Sequence, residues 1–202
     1  MDNDQQNFWA GEFGNSYISR NQSEEFLASN LHLFSRVFSK FGHSPESFIE
    51  FGANIGMNAK ALKLLFPNSH YCGVEVNAEA YRQLAELADL AVHSSIETYN
   101  LEKTYEVSFT KGVLIHLNPN NLNTAYEKLY HSSSKYILIA EYYNPTPVGI
   151  TYRGFSDKLF KRDFASEILS IYADLRIIDY GFVFHEGAFP QDDITWFLLE
   201  KS

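Results

Sequence analysis

Cysteine is almost missing from this chain: Cys72 stands alone among 202 residues, so no internal disulfide can staple the fold. Basic residues are scarce too, 16 against 25 acids, for a formal net charge of −9. With that balance and no basic run, the chain is a poor partner for nucleic acid or an anionic membrane surface. No apolar stretch reaches the length of a membrane span and no leader-like segment opens the chain, so the expected location is the cytoplasm. The absence of G-K-[ST] after any glycine turn excludes a P-loop. His185 and Glu186 have no partners at metal-ligand spacing, so no metal site is assigned. Repeats and low-complexity tracts are absent as well.

What is present is a chain rich enough in apolar (45%) and aromatic (16%) residues to exclude disorder and to build one domain over residues 1–202. Its most informative stretch runs from Phe48 to Asn77. An apolar strand, Phe48 to Phe51, breaks at Gly52-Ala53-Asn54-Ile55-Gly56 and gives way to helical spacing at Ala59, Leu62, Leu65 and Phe66. Pro67 and Asn68 stop that helix, and a second strand, Tyr71 to Val76, carries Glu75 near its end. Two strands joined this way are parallel, with a right-handed crossover. Gly52 and Gly56 let a ligand approach the turn, and the first helical amides point into the same space. Glu75 at the neighbouring strand end can accept ribose hydroxyls, so the unit reads as a nucleoside-cofactor site. A dinucleotide binder wants G-x-G-x-x-G; here Asn54 replaces the middle glycine and the third is missing, which disfavours NAD and FAD.

"EFGANIG" followed by "GVEVN" resembles motifs I and II of the class I S-adenosylmethionine-dependent methyltransferases. That resemblance implies a Rossmann-like α/β fold: a mostly parallel seven-stranded sheet with a C-terminal antiparallel hairpin, here behind an aromatic N-terminal segment. It implies S-adenosylmethionine as cofactor, with the Gly52–Gly56 turn and Asn54 around its amino-acid part, Glu50 supporting the turn and Glu75 on the ribose. Ser95 and Ile96, after the third strand (Leu90 to Val92), match the place that faces the adenine. "TKGVLIHL", after the fourth strand (Tyr105 to Thr110), resembles the loop that often carries a histidine in small-molecule methyltransferases; Lys111 joins the cofactor side and His116 is the catalytic candidate. A proton-accepting role and an orienting role both stay open for His116, whose neighbours Leu114, Ile115 and Leu117 look buried.

The first 23 residues hold Phe8, Trp9, Phe13 and Tyr17 among glycines and asparagines, too aromatic for a tail and too glycine-rich for a helix. They read either as a strap over the core, residues 24–202, or as a lid in which Tyr17 and Arg20 reach a cofactor carboxylate. A helix follows, with Leu27, Leu31, Phe34, Phe38 and Phe41 on one face up to Gly42; later helices are expected over Ala78 to Ala88, Asn118 to Ser133, and Phe160 to Tyr172. The fifth strand, Tyr136 to Tyr142, leads into "EYYNPTPVGITYRGFSDKLFKRDF". Here the sign of charge reverses. Arg153, Lys158, Lys161 and Arg162, with Tyr143 and Asn144 before them, read either as a solvated helix start or as a pocket for an anionic substrate. Leu175 to Phe184 and Ile194 to Glu200 close the chain as a hairpin.

"FWAGEFGNSYISRN", "YYNPTPVGITYRGFSDKLFKRDFA" and "DDITWFLLEK" resemble the methylases associated with pseudaminic acid biosynthesis, over nearly the whole chain. The resemblance implies an acidic sugar acceptor, a nonulosonic acid or its nucleotide-activated form. A methylase of an amino acid, peptide or other small carboxylate, and a non-catalytic nucleoside-binding module, stay open beside it. Oligomeric state is not legible.

Overall fold

The structure, a computed structural model, describes residues 4–18, 22–155 and 157–202. Two short helices, α1 (Asp4–Ala10) and α2 (Glu12–Ile18), precede α3 (Glu24–Val37). Then come β1 (Ser47–Phe51), α4 (Met57–Leu65), β2 (His70–Glu75), α5 (Ala78–Leu84), β3 (Leu90–His93) and β4 (Tyr105–Lys111). Two 3-10 turns, Leu114–His116 and Pro119–Asn121, lead into α6 (Leu122–Ser132) and β5 (Ser133–Glu141). A small ribbon, β6 (Val148–Gly149) and β7 (Phe160–Lys161), comes before α7 (Phe164–Ile171), β8 (Leu175–Val183) and β9 (Ile194–Lys201).

The seven-stranded sheet has the order β3-β2-β1-β4-β5-β9-β8. The first five strands are parallel; β9 is antiparallel to both β5 and β8. The chain winds outward from β1 to β3 and then restarts at β4 on the other side, so a crevice opens above the carboxyl ends of β1 and β4. Alternation along the strands feeds two cores. Phe48, Leu138 and Trp196 pack with Leu33, Phe34 and Leu62 on one face. Ile49, Phe51, Ile137 and Ile139 pack with Tyr126, Leu129, Phe164 and Ile168 on the other.

Several expectations change. The N-terminal segment is helical, broken at Gly11 rather than excluded from helix by its glycines. The stacked Phe8 and Phe13 rings (4.1 Å) and the edge-on Trp9 and Tyr17 rings (5.4 Å) supply packing that outweighs the propensity penalty. Phe160 belongs to β7, not to the helix after it: Asp163 caps α7 by accepting the Ser166 amide at 2.9 Å, which sets the start of that helix four residues later, at Phe164. The basic stretch is therefore a ribbon running into a helix cap. α3 and α5 also end earlier than their apolar spacing implies, at Val37 and Leu84.

Two polar ties position the crevice. Asn77 caps α5, its Oδ1 accepting the Glu79 and Ala80 amides at 3.0 and 2.9 Å. Its Nδ2 donates to the carbonyls of Trp9 and Ala10 (3.2 and 3.4 Å) and to Asn15 Oδ1 (2.8 Å), which fastens the N-terminal helices to the sheet. The approach needs a glycine: a Cβ on Gly14 would lie 1.9 Å from the Trp9 carbonyl oxygen and 2.8 Å from Asn77 Nδ2. On the far side, buried Glu141 accepts the amides of Val113, Leu114 and Ile115 at 3.0, 3.1 and 3.4 Å and so shapes the turn that carries His116. Burial pushes the Glu141 carboxyl up to about 7, against those hydrogen bonds.

Two outcomes are expected. Asn77→Ala removes the helix cap and the tie together, costing about 1–2 kcal/mol of stability in urea unfolding and raising amide exchange across 4–18 more than across β1. For Glu141, the folded carboxyl keeps its proton to about pH 7 while the unfolded one loses it near 4.5. Its stabilising contribution is therefore complete below about pH 4.5 and is lost as pH rises through 7. Melting curves of Glu141→Gln and wild type, compared from pH 5 to 8, are expected to diverge, with the variant gaining relative stability at the alkaline end.

Candidate functional site

Above the carboxyl ends of β2, β1 and β4 lies a cleft of about 850 Å³, in the size range of a small-molecule site. Tyr17, Gly52, Asn54, Glu75, Ser95, Ile96, Lys111, His116, Arg153 and Lys161 all line it. At its base, Gly52 (φ 74°), Asn54 (φ 48°) and Gly56 (φ 84°) turn the chain from β1 into α4. Gly52 is indispensable there, since a Cβ would meet Val113 Cγ2 at 2.5 Å in a backbone region that side chains rarely adopt.

Glu75 ties the turn to the next helix. Its Oε2 accepts the Asn54 amide and its Oε1 the Asn77 amide, both at 2.7 Å. Burial raises its pKa, and these two hydrogen bonds oppose the rise. Glu50 and Gly56 stay behind the lining. Glu50 is fully buried, accepts Nδ2 of Asn58 at 2.6 Å and the Tyr71 hydroxyl, and is pushed by burial up to about 7. Gly56 opens α4. Ser95 holds its own loop, accepting the Thr98 amide at 3.2 Å.

His116 sits on the opposite wall. Its ring faces Trp9 at 4.5 Å and Tyr152 at 5.3 Å between centroids. Nδ1 donates to the Lys158 carbonyl at 2.7 Å, which fixes the tautomer and leaves the lone pair on Nε2. Burial pushes its pKa down to about 4, so the ring is neutral at neutral pH. Lys111, at the end of β4, is pushed down to about 8 by burial, against the pull of Glu50, Asp192 and Glu141.

Tyr143, Asn144, Lys158 and Arg162 do not reach the cleft. Neighbouring residues of an extended strand point to opposite sides, so Lys161 faces the cleft while Arg162 lines a separate small recess with Tyr143 and pairs with Glu167 at 2.7 Å. Asn144 turns back onto the Thr146 carbonyl at 2.5 Å. Lys158 pairs with Asp157 at 3.2 Å and contributes to the site only its carbonyl, under His116. Arg20 lies outside the described residues. The sequence reading gave no site role to Gln5, Trp9, Asn58, Tyr142, Tyr152 or Asp192, all of which line the cleft. Trp9 had a sequence signal, the density of aromatics before residue 18. Asp192, from the β8–β9 loop, had none.

No family model matches the sequence, and a search of curated proteins finds no match. Solved structures do match in shape. The magnesium protoporphyrin IX methyltransferase from Synechocystis PCC 6803, solved with bound S-adenosylhomocysteine (SAH), superposes with a TM-score of 0.74 at 10% identity over 98% of this chain and all of that one. For the 1,6-didemethyltoxoflavin-N1-methyltransferase of Burkholderia thailandensis, solved with SAH and 1,6-didemethyltoxoflavin, the values are 0.71 and 12%, over 98% and 87%. For the plantazolicin methyltransferase with SAH they are 0.67 and 13%, over 98% and 94%. Identities this low establish architecture, and the architecture is the Rossmann-like methyltransferase fold.

Proposed function

We propose that this protein transfers a methyl group from S-adenosylmethionine to a small-molecule acceptor. The observation that carries the proposal is the joint opening of the Gly52–Gly56 turn and the Glu75 carboxylate into one cleft at neighbouring strand ends. The residues present fit such a cofactor. Each Glu75 oxygen accepts one backbone amide and keeps a lone pair for a ribose hydroxyl, and Ile96, Met57 and Val76 line the cleft with apolar surface suited to a base. The solved neighbours of this fold named above hold SAH, which supports the same choice.

The cofactor, when bound, supplies a methyl group already activated on a sulfonium, so the protein's work is alignment, exclusion of water and handling of the acceptor's proton. Trp9, Tyr152 and the N-terminal helices enclose the side of the cleft occupied by His116. With Nδ1 committed to a carbonyl, His116 presents Nε2 as a proton acceptor, the role a hydroxyl acceptor requires and an amine acceptor does not. Its low basicity matches a proton that becomes acidic only as the oxygen is methylated. For the acceptor we propose an anionic sugar, a nonulosonic acid or its nucleotide-activated form. The support is the sequence resemblance stated above together with Arg153 and Lys161 on the lining.

The test is a thermal melt of cofactor-free protein with SAH, beside Glu75→Ala and an NAD control. SAH at a hundredfold excess over its dissociation constant contributes about 2.7 kcal/mol, a shift of several degrees in a chain of this size. Glu75→Ala is expected to abolish the shift; the absence of any shift in the wild type would refute the proposal. His116→Ala is expected to lower kcat by about 100-fold or more on a hydroxyl acceptor, with SAH affinity retained; an unchanged kcat removes the proton-accepting role.

A further inference from the structure

Two loops carry charge to the side of the cleft away from Glu75, and they carry it differently. The first loop joins β6 to β7. Tyr152 and Phe155 exchange backbone hydrogen bonds at 2.7 and 2.9 Å, so Arg153 and Gly154 make a two-residue turn with both φ positive, 51° and 89°. Those are the φ signs of a type I′ turn, in which asparagine or glycine is the ordinary first residue and arginine is strained. The Arg153 guanidinium stands 5.5 Å from the centre of the Tyr152 ring, and that ring lies 5.3 Å from His116. Among the described residues no carboxylate comes within 4.0 Å of it. The turn gains nothing from arginine, yet the strain places a free planar fork one ring away from the imidazole, and such a fork matches a carboxylate.

The second loop joins β8 to β9. Gln191 is buried and donates to Asn30 Oδ1 of α3 at 3.0 Å. Asp193 accepts the His185 amide at 3.1 Å and lies 2.8 Å from Nδ1 of its ring. Asp192 is therefore held between two anchored neighbours. Burial first, and then the Asp192 charge, push the Tyr142 hydroxyl up, so it keeps its proton. Lys161 stands 5.4 Å from the centre of the same Tyr142 ring. The His185 hydrogen bond holds the Asp193 carboxyl down, and the Lys161 charge adds to that. Two carboxylates thus answer one ammonium here, which leaves no net positive charge for a second anion. What this end does offer is a carboxylate and a phenol, an acceptor and a donor suited to hydroxyls. Size points the same way: the cleft of about 850 Å³ must also hold the cofactor, and a nucleotide-activated sugar is larger than that cofactor.

We propose that the acceptor site is divided: Arg153 takes a single carboxylate beside His116, while Asp192 and Tyr142 take hydroxyls at the far end and turn a second anion away. The acceptor class is then a hydroxylated monocarboxylate, the free sugar acid and not its nucleotide-activated form. The inference rests on the methyl-transfer reading of the preceding subsection and selects between the two acceptors named there.

The experiment is calorimetric titration of SAH-saturated protein with three probes: N-acetylneuraminic acid, its methyl ester, which keeps the hydroxyls and loses the charge, and its cytidine monophosphate conjugate, which adds a phosphate. Wild type is expected to bind the free acid about tenfold or more tighter than either of the others. Arg153→Asn, which suits the turn better, is expected to melt no lower than wild type and yet to lose the preference for acid over ester. Asp192→Asn is expected to keep that preference and to narrow the gap between the acid and the phosphate-bearing conjugate. A wild type that binds ester or conjugate as tightly as the acid overturns the divided site. So does an Arg153→Asn that melts lower and still prefers the acid, or a conjugate affinity unmoved in Asp192→Asn. Uptake of SAH with none of the three sugars bound overturns the acceptor class and leaves the cofactor site standing. A wild type that takes up no SAH overturns the methyl-transfer reading and this inference with it.

Discussion

The geometry of the site depends on one buried carboxylate. Glu75 holds two backbone amides at once, one from the turn after β1 and one from the start of α5. Without it, two amides of a largely enclosed region lose their acceptor, and the left-handed Asn54 loses the bond that compensates its strained backbone. The same carboxylate lines the cleft, where the proposed function has it take a ribose. Scaffold and ligand site therefore share an atom pair, and the neighbouring residue, Asn77, carries the effect outward to the N-terminal helices. The Glu75 end of the cleft and the aromatic wall around Trp9 are two ends of one hydrogen-bonded chain.

The parts of the fold legible in the sequence were those in which one local pattern had one structural solution. The strand–turn–helix–strand unit at 48–77 is such a case, because Gly52 and Gly56 are required by positive φ and Glu75 is an acid on an otherwise apolar strand. The strand alternation that feeds the two cores is another. What stayed hidden depended on partners far away in the chain. Glycine content argued against helix before residue 23, yet ring contacts and the Asn77 tie hold two helices there. The basic stretch shows the second limit. Its charges read as one patch, but side-chain direction alternates in an extended strand, so Lys161 and Arg162 end on different sides of the chain. Asp192 reaches the cleft from a loop after β8, and nothing within that loop announces it.

The ionisable groups at the bottom of the cleft share a condition. Glu50 and Glu141 hold their protons up to about pH 7, Lys111 releases its own from about 8, and His116 is neutral above about 4. Burial drives each of these away from full charge. The carboxyls and the imidazole of this floor are thus partly or wholly neutral near pH 7, while the Lys111 ammonium, which titrates about a unit higher, stays mostly charged there.

The chain has only two tryptophans, and the fold assigns them to opposite environments. Trp196 is sealed in the sheet core, 1% exposed, and does not line the cleft. Trp9 rides on the N-terminal helices, half-buried, with its indole against a neutral imidazole and Tyr17. Intrinsic fluorescence is therefore partitioned by construction into a buried background from the sheet core and a signal from the N-terminal helices on the cleft wall, so the native chain carries its own optical probe of that wall.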